Sequence, residues 1–167
     1  MVYLLDANAL ISAHNGWFAL NRVPEFWLWL LHHAEAGIIE MPAETYAEVE
    51  SGNDDLAAWM KEAEHKKVLR SVEDVDGGKV QQVLGKYGDD LTEDEIITIG
   101  QDPFLIAAVL GHADRVVVTG ETSAPAKKRT NRKVPTSATT SACRGDHRLS
   151  SSRSSILPPD GPPLRDR

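Results

Sequence analysis

Four carboxylates stand where a parallel sheet would gather them. Asp6 follows the apolar run Val2-Tyr3-Leu4-Leu5, and Glu121 follows Arg115-Val116-Val117-Val118-Thr119 across Gly120. Both therefore fall at or just past the carboxyl ends of predicted strands, where open α/β sheets place their ligands. Asp102 opens the helix that feeds the second of these strands, and Glu48 lies on a helix after another short apolar run. With the first strand central, all four converge on one end of the sheet. Carboxylates gathered in this way repel and cannot all stay ionised unless a cation neutralises them. Hard oxygen ligands suit Mg²⁺ or Mn²⁺, ions that activate water and neutralise the charge developing on a phosphodiester. Each acid also has a plainer role. Asp102 before Pro103 makes a good helix cap, Glu48 a solvated helix face, and Glu121 a turn acid beside Gly120. Asp6 is the hardest to explain away, because a strand-end carboxylate directly after four apolar residues is expensive to bury unpaired.

The elements that must position these acids alternate along the chain. Strands are predicted at 2–5, 37–41, 67–72 and 115–119, the last being the richest in β-branched residues. Helices are predicted at 8–14, 25–35, 43–51, 54–66, 77–87, 92–100 and 102–112. Asp54 is a candidate cap, and Thr92 with Glu95 has capping-box spacing. Asn15-Gly16, Gly37 and Gly52-Asn53 supply stops. Strands alternating with helices imply βαβ units and a mostly parallel sheet, hence a three-layer α/β sandwich.

Length and charge narrow the class. The 167 residues suit one domain. The single cysteine, Cys143, excludes an intramolecular disulfide and a multi-cysteine zinc site. No apolar run approaches the ~20 residues of a membrane span. The amino-terminal residues lack a basic signal-peptide region, so a cytoplasmic location is expected. Residues 1–121 carry 22 acids and 8 bases, whereas residues 122–167 carry 3 acids and 10 bases. An acidic body with a basic end suggests a polyanion-binding segment or two pieces of different history. Lys127, Lys128, Arg129, Arg132 and Lys133 form the basic cluster expected to hold a phosphate backbone. Trp17, Phe18, Phe26, Trp27 and Trp29 crowd thirteen residues. They read chiefly as core, with an excess available for a homodimer or partner surface. His32-His33 lacks a zinc-type spacing.

The residues around the acids resemble the PIN-domain proteins. Leu4-Leu5-Asp6-Ala7-Asn8-Ala9-Leu10-Ile11 resembles the opening motif of that family. Pro42 through Val49 resembles the second motif with its acid at Glu48. Asp102-Pro103-Phe104-Leu105-Ile106-Ala107-Ala108 resembles the third, and Val117-Val118-Thr119-Gly120-Glu121 the fourth, with Glu where Asp is usual. Within that family, residues 23–31 are similar to a PIN-like bacterial branch of unassigned function. The resemblance implies a metal-dependent endoribonuclease acting on single-stranded RNA, in many members the toxin held by an antitoxin protein. It implies Asp6, Asp102 and Glu121 as metal ligands, with Glu48 positioning the ion or the attacking water. Asn8 and Thr119 become hydrogen-bonding groups behind them. It also implies the strand order 3-2-1-4, with a fifth strand beside the fourth.

Two other classes share some of these features. A haloacid-dehalogenase-like phosphatase uses an aspartyl nucleophile but wants a second Asp at position 8, where Asn8 stands. A catalytically inactive nucleic-acid or protein-binding module could keep the same scaffold. Residues 1–135 are expected to form the PIN-like domain. Residues 136–167 contain no Phe, Tyr or Trp and are rich in Ser, Pro and Arg. They read as a disordered tail and as a frameshift product. Shifting the reading frame after Pro135 permits apolar residues where a fifth strand is expected.

Overall fold

The computed structural model describes residues 1–120. In chain order these form β1 (Val2–Leu5), α1 (Ala7–Asn15), α2 (Pro24–Glu35), β2 (Ile39–Glu40), α3 (Ala43–Glu50), α4 (Asp55–Met60), α5 (Ala63–Leu69), α6 (Gly77–Tyr87), α7 (Glu93–Ile99), α8 (Asp102–Val109) and β3 (Arg115–Val118). Glu121, the basic cluster from Lys127 to Lys133, Cys143, the expected fifth strand and the 136–167 tail lie outside the described residues.

The sheet has the order β2-β1-β3 and is parallel throughout. Its register pairs Val2 with Arg115 and Leu5 with Val118, and Tyr3 with Ile39 on the other side. Successive strand residues point to opposite faces, so the sheet separates two cores. Leu5, Ile39 and Val118 join Leu10 of α1, Trp27 and Leu30 of α2, Tyr46 and Val49 of α3, and Leu56, Met60 and Leu69. Leu4 and Val117 face the other way, onto Val80, Val83 and Tyr87 of α6, Ile99 of α7 and Leu105, Ile106 and Ala107 of α8. Helices on both faces of a parallel sheet make the three-layer α/β sandwich expected from the alternating pattern. Among the described residues, no helix is long and apolar enough to cross a membrane.

Local chemistry explains most of the boundaries. Asp54 caps α4 by accepting from the Ala57 amide at 2.8 Å. Asp76 caps α6 by accepting from the amides of Gly78 and Lys79, and Thr92 with Glu95 forms the predicted capping box on α7. Two expectations need correction. The single helix predicted over 54–66 is two, broken at Lys61-Glu62, where Glu62 is extended. The break frees the Met60 carbonyl, which the buried Tyr46 hydroxyl takes as a hydrogen bond, and lets the His65 ring lie 4.3 Å from that of Trp59. The first half of the strand predicted over 67–72 is the end of α5. Leu69 is buried in the core as a helical residue, and only an isolated parallel bridge between Arg70 and Met41 remains. The order 2-1-4 expected for the other strands is the observed β2-β1-β3.

The aromatic cluster divides. Trp27 is buried and its indole N–H donates to the Phe18 carbonyl at 2.7 Å. Phe18 stacks on Phe26 with ring centroids 4.4 Å apart. Trp17, by contrast, is 89% exposed, and Leu28 on α2 is also exposed.

An acidic site at the carboxyl end of the central strand

Asp6 is where the central strand becomes a helix. Its amide continues the ladder by donating to the Val118 carbonyl at 2.9 Å. Its backbone is extended, and it is the N-cap residue of α1. An Asp in that place normally accepts a hydrogen bond from an amide one turn into the helix, but the Asp6 side chain makes no such cap. It instead accepts from the Thr119 hydroxyl, with Oγ1 to Oδ2 at 2.6 Å. The parallel register explains this contact. Leu5 pairs with Val118, so the next residue on each strand, Asp6 and Thr119, are side by side as the strands end. Asp6 is only 3% exposed, and a carboxylate at that depth needs partners or a cation.

Glu48 comes from α3, which packs against both α1 and α8. It is exposed as a residue. Even so, loss of water around its carboxyl group, followed by the negative charge of Asp6, pushes its pKa above the ordinary carboxylate value. The two acids are therefore within electrostatic reach of one another. Asp102 is half-buried and is the first residue of α8. It is not the cap of that helix, the plainer role its sequence offered. Gln101 occupies the cap position, with no side-chain cap bond. Asn8 is exposed in the first turn of α1. The chain leaving β3 runs close to this turn: a Cβ placed on Gly120 would meet the Asn8 carbonyl oxygen at 3.7 Å and Ser12 Oγ at 3.6 Å.

The structure thus brings Asp6, Thr119 and Glu48 together and places Asp102 on a helix packed beside them. Glu121 lies outside the described residues, as do the five bases expected to hold RNA. Glu44 was not singled out in the sequence. Its Oε2 is buried with no hydrogen-bond partner among the described residues. Its spacing of four from Glu48, which places both on one face of a helix, was the available signal. Among the described residues, no group of three or more His, Cys, Asp or Glu side chains is arranged to hold a metal ion.

Fold and site together define a parallel α/β sandwich with a buried carboxylate at the carboxyl end of its central strand, faced by a second acid from a flanking helix. The chain belongs to the family described as Domain of unknown function (DUF4411), whose match spans residues 3–143. No curated protein and no solved structure matches it.

Proposed function

We propose that the protein is a metal-dependent endoribonuclease that hydrolyses single-stranded RNA. The observation that carries this reading is the Asp6–Glu48 pair. A carboxylate with 3% exposure, held by the Thr119 hydroxyl, lies within electrostatic reach of a second acid whose pKa is raised by burial first and by Asp6 second. Carboxylates held near one another are hard oxygen donors of the kind that suits a divalent cation. Mg²⁺ is a hard cation that takes carboxylate oxygens and keeps several waters, which suits the acids at this strand end. Asp6 and Asp102 would hold the ion with Glu121, in line with the resemblance to PIN domains. When bound, it would supply charge neutralisation at the phosphodiester.

The chain's own groups have separable tasks. The Thr119 hydroxyl fixes the orientation of the Asp6 carboxylate. The raised proton affinity of Glu48 fits it to accept a proton from the attacking water, since a general base works best when its pKa lies nearer the working pH. Water then adds across the P–O bond, and the leaving oxygen takes up a proton. The test is cleavage of a labelled single-stranded RNA by the full chain with Mn²⁺, beside an Asp6→Asn control. Metal-dependent cleavage lost in the control supports the reading. Equal cleavage by both proteins, or none by either, overturns it.

A further inference from the structure

A cavity of about 270 Å³ opens between the α5–α6 connection, the start of α6, the end of α8 and the beginning of β3. It lies away from the acidic site, since Arg115 opens β3 whereas Thr119 follows its last residue. Leu4, Ala107 and Ala108 give it apolar lining, while its basic groups come from three separate elements. Arg115 is anchored: its Nη1 donates to the Ala108 carbonyl at 3.0 Å, and its Nη2 to the Glu73 carboxylate. Lys79 is half-buried, and its Nζ lies 3.5 Å from Nε2 of His112. No carboxylate is hydrogen-bonded to Lys79 among the described residues. The acceptor that its ammonium meets in the cavity is the His112 ring nitrogen.

None of the acids around the cavity is hydrogen-bonded to the Lys79 ammonium or the His112 ring among the described residues, although Glu73 feels the charge of both. Asp76 accepts from the amides of Gly78 and Lys79 through Oδ1, at 2.7 and 3.1 Å, and Asp74 is exposed to solvent. Glu73 reaches in from an exposed connection. The hydrogen bond and charge of Arg115, and then the charges of His112 and Lys79, hold its carboxyl below the ordinary range. The surroundings already stabilise one anion, and that anion sits on a tether.

We propose that this cavity is a phosphate-binding site, formed by Arg115, Lys79 and His112, and that the Glu73 carboxylate occupies it in the free protein as an internal competitor. Arg115, Lys79 and His112 come from separate places in the chain, and several N–H groups in one cavity suit a tetrahedral oxyanion better than a planar carboxylate with two oxygens. The volume lies just under the ~300–1,000 Å³ of pockets for drug-sized ligands. It therefore fits inorganic phosphate or the phosphate of a small monoester rather than a large cofactor.

Calorimetric titration of the full chain with inorganic phosphate, with ribose 5-phosphate and with succinate tests the site. Phosphate is expected to bind more tightly than succinate, and comparison with ribose 5-phosphate assigns the site to the free ion or to a monoester. Lys79→Met and Arg115→Gln each weaken phosphate by about tenfold or more, the usual loss for a charged hydrogen-bond partner. Glu73→Gln tightens it several-fold, because the competing anion is gone. Lys79→Met carries the test if Arg115→Gln fails to fold. Failure of both wild type and Glu73→Gln to bind phosphate overturns the proposal. So does succinate binding as tightly as phosphate, or a Glu73→Gln variant that only melts earlier without gaining affinity, which would make Glu73 a simple latch.

Discussion

Glu48 and Glu50 stand two residues apart on α3 and face opposite electrostatic surroundings. Glu50 points into the seam between α3 and α5, where both its oxygens accept from Lys66 Nζ at 2.7 and 2.9 Å. The same lysine lies 6.0 Å from the ring centre of Tyr46. Tyr46 is buried, and burial first and Glu50 second push its hydroxyl up to about 12, so it remains a neutral donor to Met60. Glu48 faces the end of the sheet, where its neighbour is the like charge of Asp6. A carboxylate that holds two helices together is matched with a base. One that lies beside another carboxylate is in an arrangement that a ligand or ion would relieve. Glu73, paired with Arg115, repeats the matched arrangement on the other side of the sheet.

The sharpest test of this contrast is Asp6→Asn. Cleavage of single-stranded RNA should fall by roughly a thousandfold, the scale of losing several kcal/mol of charge stabilisation. The melting temperature of the metal-free protein should stay level or rise, because a repulsion has been removed. A variant that unfolds while its residual cleavage stays high would erase the distinction between the two regions. Thr119→Val should cost about tenfold in rate, the size of a lost hydrogen bond to a charged group. Thr119→Ser, which keeps the hydroxyl, should recover most of it in the same assay.

Glu50→Gln should do the reverse of Asp6→Asn. It should lower the melting temperature by about 2 °C, in keeping with the ~0.2–1 kcal/mol of a partly exposed ion pair, and leave cleavage unchanged. A fall in rate without a fall in stability would place Glu50 with the acidic site instead. The smallest expected effect belongs to Glu48→Gln in metal-free protein. Because folding raises the Glu48 pKa, the folded state binds this proton more tightly than the unfolded chain does. Its contribution to stability therefore declines as pH rises through the carboxylate range. The Gln variant should melt about 1 °C higher at pH 7, with the gain vanishing well below the ordinary carboxylate pKa. A thermal scan at the two pH values checks the sign.

Much of this arrangement was legible along the chain, because it rests on local chemistry. The run Val2–Leu5 ending at Asp6, the β-branched residues before Thr119, the cap at Asp54 and the capping box at Thr92 each follow from neighbours a few residues apart. Position 67–72 shows where that reasoning stops. Its apolar content suits a strand or a helix equally, and the burial of Leu69 against Met60 and Tyr46 decided for a helix. Asp102 reads as a cap because Pro103 follows it, yet the turn at Gln101 puts the cap one residue earlier.

What the sequence by itself determined is the alternation of strands and helices, and with it the carboxyl end at which Asp6, Glu48 and Asp102 would be sought. Hydrophobic period and capping chemistry act within a few residues of each position. Only the tertiary structure decided that Thr119 bonds Asp6, 113 residues away, that Glu48 meets Asp6 while Glu50 meets Lys66, and that Lys79, His112 and Arg115 share one cavity. Those outcomes depend on parallel register and helix packing. Neither leaves a spacing in the chain, because the groups that meet come from different elements and are chosen by which faces the two cores bury.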